Sequence, residues 1–331
     1  MTAFTTGIFR VWFGMGDSTA AAQLAGLLLL FVFALLALER LSRRQARFHH
    51  TGNRNQRPLR LALRGSWRRW AVVACLIPPL FGFLIPAGQL TIWALRTAPQ
   101  MMDGRFLQLL ANSLLLALGA AAFILLLALL LGYGQRLRSS LWVRAAVRSA
   151  GLGYAAPGAV IAIGVMLPLV AIDRSVDAWM RQWFGFSTGL LLSGTLTALV
   201  FAYSARFLPV ALHSVEAGLT RIRPNMDAAA RSLGATPRAV LWRVHIPMLR
   251  GSLLTALLLV FVDVIKELPA TLVLRPFNFN TLAVRAYELA SDERLADSAS
   301  FALAIVLAGI GPVILLSRAI SQARPGYDPL P

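Results

Sequence analysis

Three charged side chains, Asp263, Lys266 and Glu267, lie inside an otherwise apolar run near residues 251–274. The spacing i, i+3, i+4 places all three on one face of a helix. At 1.5 Å of rise per residue, Asp263 sits roughly 18 Å beyond Gly251, near the midplane of a bilayer. Charges at that depth are costly, and they face the protein interior or a wet cavity. Asp263 and Lys266 can pair, which leaves Glu267 uncompensated unless Arg206 or water reaches it. One reading is a buried ion network that fixes helix packing. The other is a translocation route along which Asp263 and Glu267 offer a cation a favourable field.

Other chemistries find little to work with. The single cysteine, Cys75, lies in an apolar run, so there is no disulfide framework. Of the four histidines, only His49 and His50 are neighbours, in an arginine-rich loop without nearby carboxylates. That loop does not read as a metal site, and none is expected elsewhere. No nucleophile–base pair stands out, and no GxxxxGK[ST] phosphate loop occurs. The chain therefore reads as non-catalytic.

The elements that must position these charges are membrane helices. Of 331 residues, 57% are hydrophobic and 14% charged, and mean hydropathy is +0.67. Soluble domains carry about 25% charged residues. Seven runs are long and apolar enough to cross a bilayer, at about 20–38, 70–95, 108–133, 147–171, 190–212, 251–274 and 299–317. The expected fold is therefore all-α and polytopic, with about seven transmembrane helices. Prolines Pro157 (beside Gly158) and Pro269 interrupt two of the spans.

The net charge of +18 is not a nucleic-acid footprint. If the gaps between spans alternate outside and inside, starting outside, the inside gaps and the inner end of the fourth span hold 22 of the 32 Lys and Arg. The outside gaps hold 8, and Arg206 and Lys266 lie within spans. This positive-inside pattern predicts an N-terminus outside and a C-terminus in the cytoplasm. No groove-reading element is visible. The N-terminus shows no basic region, apolar stretch and cleavage site in sequence, so no signal peptide is read.

The chain also repeats itself. "FTTGIFRVWFGMGD" (Phe4–Asp17) aligns without gaps on "FNTLAVRAYELASD" (Phe279–Asp292). Phe4, Thr6, Arg10 and Asp17 meet Phe279, Thr281, Arg285 and Asp292. The register continues through a span on each side to Leu41-Ser42-Arg43 and Leu316-Ser317-Arg318. Both copies run from outside to inside, as in a parallel repeat. Residues 1–43 then read as the last outer loop and last span of an incomplete first domain. Residues 44–58 read as a basic cytoplasmic linker. Residues 59–331 read as a complete six-span domain with a cytoplasmic loop at 213–250.

That loop contains "NMDAAARSLGATPRAVLWRVHIPMLRG" (Asn225–Gly251). Pro224 suits the first turn of a helix, Asp227 favours its dipole, and Gly234 is a natural stop. Thr236 and Pro237 suit the start of a second helix to about Val244, and Pro247 closes the unit before the next span. The row Ala228–Ala230 lets a partner surface approach closely, whereas it gives a weak apolar face for lying on a membrane.

The spacing resembles the signature of permease subunits of binding-protein-dependent ABC importers: Glu-Ala-Ala, three residues, Gly, nine residues, then Ile-x-Leu-Pro. Here it reads Ala228-Ala229-Ala230, three residues, Gly234, nine residues, then Val244-His245-Ile246-Pro247. Ala228 stands where the family has Glu. Asp227 is one position early, and one residue turns about 100° around a helix. "GYAAPGAVIAIG" (Gly153–Gly164) and "KELPATLVLRPFNFNTLAVRAYELASDERLADSA" (Lys266–Ala299) resemble ferric iron importer permeases. Those are commonly single chains with two fused domains, which makes this chain look like the C-terminal part of one.

The resemblance implies a type I ABC importer permease fold in a bacterial inner membrane. It implies a coupling loop (Asp227, Ala228–Ala230, Gly234, Val244, Ile246, Pro247) docked on ATP-binding cassette ATPase subunits. ATP and magnesium would bind those partners, and this chain would bind no cofactor. Further implied partners are a periplasmic substrate-binding protein and a second permease domain or copy. Arg285, Asp292 and Glu293 are candidates for docking the binding protein, in a region shared with Phe4–Asp17. Ferric iron is the expected substrate; thiamine, phosphonate and sulfate permeases share the architecture. An ion-gradient-driven carrier is the alternative of a different class.

Overall fold

The computed structural model describes residues 3–43, 65–138 and 140–322. His49, His50 and the linker 44–58 lie outside the described residues. Twelve helices, with a π segment at Arg10–Gly14 and a 3-10 turn at Gly153–Ala155, make up the described fold. A short helix, α1 (Phe4–Phe9), precedes α2 (Ser18–Arg43). Then come α3 (Ser66–Met101) and α4 (Gly104–Leu137). Next are α5 (Leu141–Ala150), α6 (Gly158–Phe184) and α7 (Leu196–Leu219). The loop helix α8 (Pro224–Ser232) leads to α9 (Pro237–Ile265). The chain then forms α10 (Pro269–Leu274), α11 (Leu282–Ser291) and α12 (Leu295–Gln322). Seven of these are long and apolar enough to cross a membrane: α2, α3, α4, α6, α7, α9 and α12.

The centre of the bundle is α7, which packs on α4, α6 and α9. Lipid is as apolar as leucine, so close van der Waals packing must hold membrane helices together, and small residues allow it. The buried faces obey this rule. They carry Ala117, Ala120, Ala121 and Ala128 on α4, Ala202 and Ala211 on α7, and Ala256 on α9. At the periphery, α3 lies against α12, and α2 lies against α6 through Ala21, Ala25, Ala159 and Ile163. The membrane-length window of α3 buries none of its residues within the chain. Its Leu76, Ile77, Phe81 and Leu84 side chains are exposed and apolar, as a lipid-facing surface requires.

Three expected boundaries shift. The fourth span does not run unbroken over 147–171. It is split into the amphipathic α5 and the longer α6, with Pro157 at the N-cap of α6, so that proline starts a helix instead of kinking one. The sixth run ends at Ile265, and Pro269 opens the separate α10. Pro247 does not close the cytoplasmic unit. The chain continues through a π turn at Leu241–His245 directly into the span. A proline ring clashes with the carbonyl four residues back and lacks the N–H for it. A π turn just before Pro247 widens the helix there and lets it continue. A second π turn, Leu80–Leu84, precedes Pro86 in α3 in the same way.

Candidate coupling loop and intramembrane ion network

The loop between α7 and α9 is a helix, a glycine turn and a second helix start. Pro224 occupies the first turn of α8. After Ser232 the chain needs a left-handed residue to reverse, and Gly234 supplies it with φ +81°. The turn closes with hydrogen bonds from Gly234 N to Arg231 O and from Ala235 N to Ala230 O. Thr236 caps α9 by accepting from Ala239 N at 3.3 Å, with Pro237 next. Ala228 and Ala229 are exposed, as are Leu233 and Gly234 at the tip, whereas Ala230, Val244 and Ile246 are half-buried. Pro247 is exposed on the helix beyond.

Asp227 faces the other way. Its carboxylate accepts from Arg136 Nε at 2.8 Å and pairs with His245 Nε2 at 2.7 Å. An ionised carboxylate only accepts, so His245 Nε2 carries the proton in this bond. Partial burial would by itself raise the Asp227 carboxyl. The bonds from Arg136 and His245 outweigh that and hold it below the ordinary carboxylate value. Arg136 also donates to Leu219 O at 2.6 Å and Ile222 O at 2.9 Å, carbonyls at and just beyond the end of α7. His245 is fully buried and meets the Tyr133 ring edge-on at 5.2 Å. The Tyr133 hydroxyl donates to Pro237 O at 2.7 Å. The last turn of α4 thus holds both halves of the loop, with Asp227 engaged inside the chain. The sequence reading missed Arg136, Tyr133 and His245, because only folding brings residues 133–136 beside 227–245.

Within the membrane-length helices the charges separate into two pairs. Lys266 Nζ lies 3.0 Å from Asp263 Oδ1 on the last turn of α9. Glu267 has left the helix, so the expected common face for all three charges does not form. Its carboxylate turns to Arg206 of α7, with Nη1 at 2.8 Å from Oε1. The same oxygen accepts from Ala270 N at 3.2 Å, capping α10. Thr271 bonds back to Glu267 O and to the Tyr203 hydroxyl. A helix broken at this depth frees backbone groups that lipid cannot satisfy; these bonds take up Ala270 N and Glu267 O. Gly158 is the other wall. A Cβ there would overlap Arg206 Nη1 and press on Glu267 Oε1 at 2.5 Å. The start of α6, the middle of α7 and the break before α10 therefore meet at one ion pair.

At the end of the bundle opposite the coupling loop, Thr281 caps α11 by accepting from Val284 N. Arg285 and Arg275 share Glu288, each at 3.3 Å. Asp292 and Glu293 are exposed in the turn to α12. Glu293 has φ +62°, a left-handed conformation that glycine adopts with least strain. At the same end Asp173, almost fully buried, accepts from Leu192 N, Ser193 N and Ser193 Oγ. Asp177 accepts from Ser187 Oγ at 2.6 Å and Thr188 N at 2.8 Å. These two carboxylates fold residues 185–195 back along α6, a feature the sequence reading did not foresee. Among the described residues no group of three or more His, Cys, Asp or Glu is placed to hold a metal ion.

The family model for the binding-protein-dependent transport system inner membrane component matches residues 124–325. The chain belongs to that family. This permease component is 26% identical over 332 residues to the Fe(3+)-transport system permease protein FbpB 2 of Haemophilus influenzae, covering 95% of this chain and 60% of that protein. It is 32% identical over 143 residues to the putative 2-aminoethylphosphonate transport system permease protein PhnV of Salmonella typhimurium, covering 43% of this chain and 53% of that protein. It is 26% identical over 168 residues to the sulfate transport system permease protein CysW of Synechocystis, covering 50% of this chain and 59% of that protein. The permease component thus spans roughly half to three-fifths of the length of these relatives. A chain in the crystal structure of a bacterial alginate ABC transporter, in complex with an alginate pentasaccharide-bound periplasmic protein, superposes with a TM-score of 0.55 at 18% identity. The superposition covers 78% of this chain and 95% of that one, and shows the type I permease fold.

Proposed function

We propose that this inner-membrane permease carries ferric iron across the membrane within an ABC importer. A periplasmic binding protein would deliver the substrate, and ATP hydrolysis on partner ATPase subunits would drive the cycle. The observation that carries the reading is the loop 213–250. It exposes Ala228, Ala229 and the Gly234 turn, it is locked to α4 through Asp227 and Arg136, and it continues without a break into the α9 span. A partner that moves the exposed face moves a span. In the proposed orientation the N-terminus is outside, this loop is cytoplasmic, and the turn holding Asp292 and Glu293 meets the binding protein with Arg285 nearby. The duplication of Phe4–Asp17 in Phe279–Asp292 supports an incomplete first domain at 1–43, and a second permease domain or copy would complete the channel.

Iron is favoured by the relative that aligns over 95% of this chain. The phosphonate and sulfate relatives make an oxyanion importer the second reading. The pairing of Asp263 with Lys266 and of Glu267 with Arg206 favours a packing role for the network over a cation-binding role. An ion-gradient-driven carrier would need neither the coupling loop nor an ATPase. The test is copurification of an ATP-binding cassette ATPase with this chain, with uptake measured for wild type and Gly234→Pro. Copurification, and loss of uptake in the variant, support the importer; uptake that persists without the ATPase refutes it. Identifying the solute held by a binding protein that docks on this chain tests the substrate.

A further inference from the structure

At the opposite end from the loop between α7 and α9, the ends of α3, α4, α11 and α12 and the segment 277–280 line a half-open cavity of about 410 Å³. That volume suits a small-molecule ligand. Its floor is the tilted pair Phe106 and Phe301, with ring centroids 5.4 Å apart. Its wall is polar: Arg105, Gln108 and Asn112 from α4, Asn278 and Asn280 from the segment, and Arg285 from α11. The α4 residues follow i, i+3, i+7 spacing and so share one face. Between that stripe and the last turn, which holds Gln135 and Arg136, the helix is strongly apolar, with a window of mean hydropathy 3.0. The polar stripe begins and ends with the cavity. Polar groups in a spanning helix are retained where they face a wet cavity or a function.

The wall is also built to hold its shape. Asn112 Nδ2 donates to Asn280 O at 3.3 Å, and Leu282 N donates to Ser113 Oγ at 2.8 Å, tying α4 to α11. Its charge is positive. Arg105 forms no ion pair with a described residue, and Arg285 must share Glu288 with Arg275. The acid in the lining, Asp103, spends one oxygen capping Phe106 N at 3.0 Å. A guanidinium offers five N–H donors and no acceptor, whereas each carboxamide balances two donors with one oxygen, and the buried Asn280 Oδ1 has no partner. The excess of donors rests on Arg105 and Arg285 alone, and what would match it is a group with several acceptor oxygens.

We propose that this cavity binds a small anion bearing several acceptor oxygens, of the phosphate, phosphonate or sulfate kind. A free solute and the headgroup of an anionic phospholipid offer the same chemistry, since the cavity lies where spans α3 and α4 turn. The inference needs no ATPase and no binding protein; a free-solute result would favour the oxyanion reading over ferric iron, and a headgroup result would leave the transported substrate untouched.

The test uses the full chain in nanodiscs. In one arm, made with phosphatidylcholine alone, labelled inorganic phosphate and sulfate are titrated to equilibrium. In the other, discs contain phosphatidylglycerol, and lipids retained on the protein are counted by native mass spectrometry. The expected result is one saturable site per chain in at least one arm. Arg105→Gln should weaken it about tenfold, the loss of one charge-assisted contact, and Arg105→Gln with Arg285→Gln further. Arg144→Gln, at the other end of the molecule, should leave it unchanged. Arg105 is exposed, so its variant should melt like wild type and the loss can be read as binding. Signal in the first arm assigns a free solute, and signal in the second alone assigns a headgroup. Absence of binding in both arms, or binding that the Arg105 and Arg285 variants leave intact, overturns the proposal.

Discussion

Breaking the Arg206–Glu267 pair should destabilise the bundle in a way that only a coupled pair can. The charges stand 2.8 Å apart, with 22% and 6% of their side chains exposed. At an effective dielectric of about 20 their attraction is about 6 kcal/mol, part of which is offset by the desolvation of both ions. Removing one partner of such a buried pair costs about 3–5 kcal/mol, because the other charge remains buried and uncompensated. Glu267→Gln keeps an oxygen for Arg206 or Ala270, so about 3 kcal/mol is expected. At 2–4 °C per kcal/mol that is a fall in melting temperature of about 6–12 °C. Arg206→Gln leaves Glu267 unpaired and should cost at least as much. The double variant removes both charges, and its cost should fall short of the sum of the singles by about 2 kcal/mol or more. Reversible unfolding in mixed SDS micelles measures all three. Additivity within about 0.5 kcal/mol would refute the reasoning, since uncoupled sites add that well.

Gly158→Ala forces Arg206 and Glu267 apart and should cost about 1–3 kcal/mol by overpacking; a variant as stable as wild type in the same assay would show that the wall can yield. Asp227→Asn weakens two charge-assisted bonds and should loosen the loop by about 1.5–3 kcal/mol, read as faster amide exchange over 224–240. The folded-state Asp227 value is depressed, so its contribution is complete above the ordinary carboxylate value of about 3.9 and is lost only as pH falls through the lower folded value. The contribution of the Asp227 carboxylate should therefore persist down to about pH 4 and be lost only below it; a loss already complete at about pH 5 would contradict the assignment. Glu293→Gly relieves a left-handed conformation and should stabilise the fold by about 1 kcal/mol. If Glu293 meets the binding protein, the same variant should reduce delivery, and unchanged binding-protein affinity would remove it from that surface.

Span positions were legible because hydropathy over some twenty residues reports burial in lipid directly. The helix start at Pro224 and the Gly234 turn were legible because proline and glycine act through their own backbones. What stayed hidden depended on tertiary partners. Glu267 was expected on the face of Asp263, because sequence spacing alone continues the helix through residue 267. The structure ends that helix at Ile265, where Arg206 and the start of α10 give the freed groups somewhere to bond. Pro247 read as a terminator for a similar reason: a π turn is invisible in a helical periodicity of 3.6. The hold of Arg136 on Asp227 links residues far apart in sequence, and the carboxylate staples at Asp173 and Asp177 give no local signal.

The π turn at Leu241–His245 has a mechanical consequence. Because it carries the chain past Pro247, Pro237–Ile265 is one continuous 29-residue rod, about 43 Å long at 1.5 Å per residue. Its near end carries the loop proposed to couple to an ATPase, and its far end stops beside the Glu267 break. A tilt of about 5° about the loop end moves the far end of such a rod by about 4 Å, more than the length of the hydrogen bond between Glu267 and Arg206. A small rotation delivered at one surface therefore arrives, magnified by lever length alone, at the place where the chain's backbone is already interrupted.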